Sequence, residues 1–183
     1  MTKNLKRNGD KIKEKKCRII IKKILHTINY CHNHVVVHCD LKPDNIIFET
    51  LNEEIENDND NILNILDLKL IDFGMFSRIK KNQKLNKTVG TSYFIAPEIL
   101  NGGYDEKCDV CSIGVILYYI LSRKFPFTGN STSEIFEKIR NNEKIFKKNI
   151  FNDISTNTIE FMKKCLTKNP NERFSANEFL FHP

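Results

Sequence analysis

Apolar residues along the chain recur with helical spacing in some segments and in short strand-like runs in others. In Cys17–His32 they recur every three or four positions while lysines take other positions, which predicts an amphipathic helix. The β-branched runs Val35–Val37 and Ile46–Phe48 flank a polar turn, and Leu66–Ile71 is a third run; all three predict short strands. The apolar face of the first helix is expected to contain Cys17, Ile20, Ile21, Ile24, Ile28 and Cys31.

The second half of the chain is predicted to be helical. Asp109–Ser122 is apolar on nearly every side, and such a helix is buried at the centre of its domain. The polar stretch 75–97 is too rich in Lys, Asn, Ser and Thr to form core. We therefore predict a mainly α (α+β) fold with a few short strands early in the chain. Three more helices are predicted from N-cap signals at Ser131-x-x-Glu134, at Ser155 or Thr156, and at Ser175-x-x-Glu178.

Composition narrows the class of protein. The 183 residues are 40% hydrophobic and 28% charged, which suits one globular domain. The longest apolar run, Val110–Leu121, is well short of the ~20 residues that a membrane span needs. Six cysteines without an apolar secretory segment indicate reduced thiols and an intracellular, cytoplasmic location. Membrane-spanning, collagen-like and disulfide-scaffold proteins are excluded.

The net charge of +6 is concentrated at the start of the chain. Residues 1–23 carry ten Lys and Arg residues against two acidic ones, so the remainder is slightly acidic. A basic segment can bind nucleic acid, but this one has no aromatic side chain on which a base could stack. We interpret residues 1–16 as a solvated basic polar arm and predict no nucleic-acid partner.

Residues 51–64 alternate acidic and amide side chains with Ile and Leu, which predicts a solvated acidic insertion. Asp58 and Asp60 have the spacing of the first ligands of a calcium loop. However, Leu63 replaces the glycine that such a loop needs, and Lys69 replaces its closing glutamate. We therefore reject calcium binding at this insertion.

Three short motifs carry the candidate chemistry. They offer acidic groups, an amide and a lysine on loops at strand ends. These groups can hold Mg2+ on a triphosphate while a hydroxyl nucleophile is oriented. Their order, followed by the apolar helix, argues against a chance match. The motifs are His38-Cys39-Asp40-Leu41-Lys42-Pro43-Asp44-Asn45, Asp72-Phe73-Gly74 and Ala96-Pro97-Glu98.

With these motifs, residues 17–183 resemble the C-terminal, mainly helical lobe of the eukaryotic protein kinases. The run Gly90-Thr91-x-x-Phe94-x-Ala96-Pro97-Glu98 resembles that of Ser/Thr kinases, and residues 89–100 are most similar to calcium- or calmodulin-dependent kinases of plants and protists. The resemblance implies a catalytic loop at 38–45, an activation segment at 72–98 and a helical subdomain at 105–183. It also implies ATP and Mg2+ as cofactors, and Ser or Thr of a protein substrate as the phosphate acceptor.

The resemblance implies roles for the motif residues at the reacting centre. Asp40 would accept or orient the proton of the substrate hydroxyl, and Lys42 would steady the transferring phosphate. Lys42, Asp44, Asn45 and Asp72 would bind the nucleotide. Asn45 and Asp72 would hold its two magnesium ions.

Four further residues are implied to support the site. Thr91 would join the catalytic loop to the platform that binds the substrate peptide. Glu98 and Arg173 would form a buried ion pair that fixes this platform. Asp109 would accept hydrogen bonds from the backbone of the catalytic loop.

One departure from the family pattern concerns regulation. The family has an arginine where this chain has Cys39, and that arginine receives a phosphate or acidic group from the activation segment. Lys87 stands where that group would be, so both partners of the ionic contact are missing. We predict that activity does not depend on phosphorylation at position 87, while Thr88 and Thr91 stay open as sites.

A second departure concerns ATP binding. The sequence contains neither Gly-x-Gly-x-x-Gly nor a Val-Ala-x-Lys strand, so the N-terminal lobe that covers ATP is predicted to be missing or supplied separately. We expect a truncated chain with negligible phosphotransfer alone. A non-catalytic, kinase-derived binding or scaffolding module is the alternative function, and a Cys-rich metal protein is a weaker third.

The remaining cysteines and histidines are interpreted as structural. Cys108 and Cys111 have the spacing of a zinc or redox pair, but Cys111 falls where the family carries a buried Trp, so both are expected in the core. His38 is interpreted as a structural residue of the catalytic loop rather than a base. His26, His32 and His34 are interpreted as ordinary surface or core-edge residues.

Overall fold

The computed structural model describes residues 13–50, 66–79, 83–86, 89–141, 146 and 150–181 of the chain. Most of the predicted basic arm, all of the predicted acidic insertion, and positions 87 and 88 lie outside these ranges. The expectations about them stay predictions.

The described residues form six α-helices and four short strands, in agreement with the mainly α prediction. The helices are α1 (Glu14–Asn33), α2 (Pro97–Asn101), α3 (Lys107–Ser122), α4 (Thr132–Asn141), α5 (Thr156–Cys165) and α6 (Ala176–Leu180). The strands are β1 (Val36–Val37), β2 (Ile46–Thr50), β3 (Leu66–Leu70) and β4 (Ser77–Arg78). In this part of the chain, no helix has the length and apolar character needed to cross a membrane.

Helix α3 lies at the centre of the packing, as its apolar sequence predicted. Helices α1 and α5 pack against it, and α6 packs against α1. Fourteen of its 16 residues are buried. Helices α3 and α5 approach so closely at Gly114 that a Cβ there would lie 2.6 Å from the Cβ of Cys165.

Helix α1 begins three residues earlier than predicted. The carboxylate of Glu14, in its first turn, accepts a hydrogen bond from the backbone N–H of Ser155 at 3.0 Å. This contact spans 141 residues and anchors the start of α1 to the start of α5, so local periodicity did not reveal it. The buried face includes Leu25, whereas Ile20 and Cys31 are only partly buried.

The four strands form two antiparallel pairs. β1 pairs with β4, with Val36 opposite Arg78, and β2 pairs with β3, with Ile46 opposite Leu70. Residues 38–45 connect β1 to β2, and residues 71–76 connect β3 to β4. Both loops therefore bridge the same two sheets, and this topology brings two of the sequence motifs together.

All three predicted serine N-caps are present. The Oγ of Ser175 accepts a hydrogen bond from the backbone N–H of Glu178 at 3.3 Å, and the Glu178 carboxylate accepts from the backbone N–H of Ser175 at 2.7 Å. At α4 the Glu134 carboxylate instead accepts from the backbone N–H of Asn130 at 2.7 Å. The N-cap oxygens belong to Ser131, Ser155 and Ser175.

The expectation that residues 75–97 stay out of the core is wrong for the end of that stretch. Phe94, Ile95 and Ala96 are buried. The hydroxyl of Ser112 on α3 donates to the Phe94 carbonyl at 2.8 Å, and the Phe94 ring meets Phe125 edge-on at 5.6 Å. The polar composition of the whole stretch concealed this short apolar run.

Candidate active site

Asp40, Lys42 and Thr91 form a closed set of hydrogen bonds. The Nζ of Lys42 donates to Asp40 Oδ2 at 2.6 Å and to Thr91 Oγ1 at 3.0 Å. The Thr91 hydroxyl donates to Asp40 Oδ1 at 2.8 Å. Asp40 is buried, while the Lys42 side chain is 21% exposed. Each carboxylate oxygen of Asp40 thus has a donor, which fixes its orientation.

Asn45 lies against the same loop. Its Nδ2 donates to the backbone carbonyl of Asp40 at 2.8 Å. Because the amide nitrogen is used there, the amide oxygen faces away from that carbonyl. Asp44 occupies the same short 3-10 turn, Pro43–Asn45, but its side chain is exposed and lies outside this set of contacts.

Asp72 is brought beside Asn45 by strand pairing. The backbone N–H of Ile71 donates to the Asn45 carbonyl at 3.0 Å, and Asp72 follows directly. Asp72 has a left-handed backbone, with φ of 59°, and its Oδ1 accepts from the backbone N–H of Gly74 at 3.2 Å. Its side chain is exposed. The backbone of Asn45, which carries an amide, and that of Asp72, which carries a carboxylate, are therefore close together.

These two groups fit magnesium. Mg2+ prefers oxygen ligands and is commonly held by one or two carboxylates together with substrate phosphates and water. Across the described ranges, no three His, Cys, Asp or Glu side chains are grouped so that they could hold a metal ion. A magnesium ion bound by Asn45 and Asp72 would therefore need further oxygen ligands from phosphate or water.

His38 joins the two loops. Its Nδ1 accepts from the backbone N–H of Asp40 at 3.4 Å, and its Nε2 donates to the Ile71 carbonyl at 3.3 Å. Its ring packs on Phe73, with centroids 4.8 Å apart. Because both ring nitrogens bond the backbone, His38 is suited to holding the loops together and not to taking a proton from a substrate.

Asp109, in the first turn of α3, holds the start of loop 38–45. Its two oxygens accept from the backbone N–H groups of His38 and Cys39, both at 2.9 Å. The carboxylate is also hydrogen-bonded to His32 Nε2 at 2.9 Å. Burial alone would raise the pKa of Asp109, but the hydrogen bond and charge of His32 and the N–H of His38 outweigh it and hold that pKa below its ordinary value.

Sequence reasoning missed the role of His32. It was interpreted as an ordinary surface or core-edge residue, yet its side chain is only 7% exposed and lies against Asp109. The available signal was its spacing, because His32 follows the buried Ile28 by one helical turn. His32 therefore connects α1 to the carboxylate that holds loop 38–45.

Gly90 and Cys39 make a close backbone contact. Gly90 has φ of 107°, and a Cβ there would lie 2.9 Å from the Cys39 carbonyl oxygen. Only glycine allows this approach without a shift, and the approach brings the next residue, Thr91, to Asp40. Cys39 itself is buried, and its thiol donates to the Val37 carbonyl at 3.6 Å.

Glu98 and Arg173 form a buried, two-pronged ion pair. Arg173 Nη1 bonds Glu98 Oε1, and Nη2 bonds Oε2 at 3.0 Å. The same guanidinium donates to the Lys107 carbonyl at 2.9 Å and to the Thr167 carbonyl at 2.8 Å. Arg173 is 1% exposed. The pair ties α2, the start of α3 and the chain before α6 together.

Cys108 and Cys111 are both buried in the core. Cys108 lies near Cys39 and Asp109, and Cys111 lies near Arg173 and Glu98. Burial raises the pKa of Cys111 to about 11 and that of Cys108 well above its ordinary value. Thiols in such surroundings stay protonated and unreactive. This arrangement agrees with their interpretation as core residues.

Comparison with known proteins identifies the family. The protein kinase domain model matches residues 1–183. The chain is 42% identical over 163 residues to calcium-dependent protein kinase 4 of Plasmodium falciparum, covering 89% of the chain and 29% of that protein. It is 36% identical over 170 residues to the serine/threonine-protein kinase PEPKR2 of Arabidopsis thaliana, covering 93% of the chain and 33% of that protein.

The chain thus spans about three-tenths of the length of these curated relatives. The matching domain, the kinase motifs and the names of these relatives agree. The chain therefore belongs to the protein kinase domain family, among the eukaryotic Ser/Thr kinases similar to calcium-dependent protein kinases.

Proposed function

We propose that the chain is the C-terminal lobe of a Ser/Thr protein kinase, in which loop 38–45 directs transfer of a phosphoryl group from ATP to a Ser or Thr hydroxyl of a protein substrate. The observation that carries the proposal is the contact of Asp40 with Lys42 and Thr91. It presents a proton acceptor and a cation side by side, next to the oxygen donors of Asn45 and Asp72.

Asp40 is proposed to receive the proton of the substrate hydroxyl. Phosphoryl transfer depends mainly on positioning and on stabilising charge. Thr91 and Lys42 each bond one oxygen of the Asp40 carboxylate, so the carboxylate is held in one orientation before a substrate arrives. An entering hydroxyl would then meet an acceptor that requires little reorganisation.

Lys42 is proposed to stabilise negative charge on the transferring group. Its ammonium is held by Asp40 and Thr91, and its side chain is partly exposed. A cation fixed in advance stabilises developing phosphoryl charge better than one that must first be ordered. Replacing Lys42 would therefore affect both the phosphate and the orientation of Asp40.

Asn45 and Asp72 are proposed to hold magnesium with the nucleotide. Magnesium bound in this way neutralises charge on the phosphate oxygens. The backbone hydrogen bond from Ile71 to Asn45 holds the two segments that carry these side chains together. Asp44 is exposed on the same turn as Asn45. It is proposed to bind the nucleotide on the basis of the family resemblance alone. The glycine-rich lobe that covers ATP is proposed to come from outside these 183 residues.

The test compares the wild type with Asp40→Asn in the full protein that contains this chain. Transfer of labelled phosphate from ATP to Ser/Thr peptides is measured, with melting temperature as a check on folding. We expect Asp40→Asn to lower kcat by about 10²–10⁴-fold, the usual contribution of a general base. Asp153→Asn, at an exposed carboxylate before α5, is the matched control and should keep full activity.

Two results would overturn the proposal. One is equal activity of the wild type and Asp40→Asn. The other is a folded wild type that transfers no phosphate to any peptide. The second result, with peptide binding retained, would favour the non-catalytic binding module.

A further inference from the structure

Residues 84–86 are attached to residues 103–105 through both backbone and side chains. The backbone N–H of Leu85 donates to the Tyr104 carbonyl at 2.8 Å, and the N–H of Tyr104 donates to the Leu85 carbonyl at 3.0 Å. Lys84 forms an ion pair with Asp105. The side-chain oxygen of Asn86 accepts from the backbone N–H just before Tyr104 at 2.9 Å. A displacement of residues 84–86 would therefore also move the backbone of Tyr104.

The side chain of Tyr104 leads from this attachment into the core. Tyr104 is fully buried, and its side chain shares a hydrogen bond with the thiol of Cys39. Cys108 lies beside both side chains.

Cys39 is the residue before Asp40, and its backbone is unusual. It has φ of 66°, a left-handed conformation that a residue other than glycine keeps only when its surroundings hold it. Its N–H is held by Asp109 at 2.9 Å, and its carbonyl lies against Gly90. The contact with Tyr104 holds the side chain. Together these contacts set the direction in which the chain enters Asp40.

We propose that Tyr104 is a positioning residue whose buried hydroxyl links the attachment of residues 84–86 to the orientation of Asp40 through Cys39. The expected effect on kcat rests on the proposed function. The structural link does not, because its contacts are present without a substrate.

The first test is Tyr104→Phe, which keeps the ring and removes only the hydroxyl. We expect kcat to fall about five-fold, the effect of losing one neutral hydrogen bond, with KM for ATP and peptide unchanged. Tyr118→Phe is the matched control, because Tyr118 is also a buried tyrosine but its ring packs on Phe151, with centroids 5.0 Å apart. The control should keep the wild-type kcat.

The second test asks whether the attachment acts through the hydroxyl. The double variant Lys84→Ala/Asn86→Ala removes two side-chain contacts with residues 103–105 and should also lower kcat. When the double variant is combined with Tyr104→Phe, kcat should fall no further than in Tyr104→Phe alone. If the two reductions in kcat instead multiply, the changes act independently and the link is overturned. Lys138→Ala, which breaks an ion pair with Glu134 on α4, is the control for a surface change of this kind.

A third readout does not depend on catalysis. NMR-detected hydrogen exchange on the chain should show a faster-exchanging backbone N–H of Cys39 in Tyr104→Phe and in Lys84→Ala/Asn86→Ala, but not in Tyr118→Phe. Unchanged exchange at Cys39 in the surface double variant would overturn the inference, even if Tyr104→Phe failed to fold. If the wild type lacked phosphotransfer while the exchange changed as expected, the proposed function would fail and the link would stand.

Discussion

Two buried carboxylates near the start of α3 differ in how they are neutralised. Glu98 meets a guanidinium that bonds both of its oxygens, so two fixed charges satisfy each other. Asp109 meets His32 and two backbone N–H groups of loop 38–45. One arrangement joins helices through side chains, whereas the other uses a charge to hold a loop.

This difference predicts different consequences of damage. Arg173 keeps its charge because, although burial alone would lower its pKa, the hydrogen bonds and charge of Glu98 outweigh burial and raise that pKa. Losing Glu98 therefore leaves a buried charge without a partner and should reduce stability. Losing Asp109 leaves the backbone N–H groups of His38 and Cys39 without their acceptor. Because these residues directly precede Asp40, the geometry of the site should change as well.

The largest effect on stability is expected from Glu98→Gln. The free energy of unfolding should fall by about 3–5 kcal/mol, because removing one partner leaves the buried guanidinium of Arg173 uncompensated. Urea denaturation measures this change, and Glu160→Gln, at an exposed carboxylate on α5, is the control. A loss below about 1 kcal/mol, as for an exposed ion pair, would mean that Glu98 does not compensate a buried charge.

Asp109→Asn should have a smaller effect on stability and a larger one on catalysis. Its amide keeps one acceptor oxygen, so one buried N–H donor loses its partner, at a cost of about 1–3 kcal/mol. We expect kcat per folded molecule to fall on the order of tenfold, equivalent to about 1.4 kcal/mol in the barrier. An unchanged kcat per folded molecule would show that Asp109 serves stability alone, as Glu98 does.

The elements that the sequence predicted well depend on local signals. Helix α3 is apolar on nearly all sides, and the helices that begin after Ser131, Ser155 and Ser175 carry their own caps. Each of these elements can be recognised from a short local window of sequence. Asp40 and Asn45 were proposed from the order of three motifs between His38 and Glu98, and their roles stay predictions.

The features that the sequence did not predict depend on distant partners. The contact of His32 with Asp109 spans 77 residues, and β1 pairs with β4 across 39 residues of intervening chain. The left-handed backbone of Cys39 and Asp72 was not predicted either, because no glycine marks those positions. At Cys39, burial and the distant hydrogen bond to Asp109 compensate for this conformation, and neither has a local pattern.

An acid titration tests how much the charge of Asp109 contributes to stability. Because the folded pKa of Asp109 is lowered, its ionised form stabilises the fold fully above the unfolded pKa of about 3.9. This contribution is lost as the pH falls through the folded value. The difference in unfolding free energy between the wild type and Asp109→Asn should therefore shrink between about pH 5 and pH 2. A constant difference over this range would show that the charge of Asp109 makes no contribution.

The smallest expected effect tests whether His32 acts through its charge or only through its hydrogen bond. In His32→Gln the side-chain amide can still donate to Asp109, so at pH 7 stability should fall by only about 0.5–1 kcal/mol. The charge of His32 contributes to the lowered pKa of Asp109, so in this variant that pKa should rise towards its ordinary value. The loss of stability in acid should then be smaller than in the wild type, and it should be complete at a higher pH. Carbon-detected NMR titration of the Asp109 carboxyl measures this shift directly. An unchanged titration would mean that His32 acts on Asp109 only through its hydrogen bond.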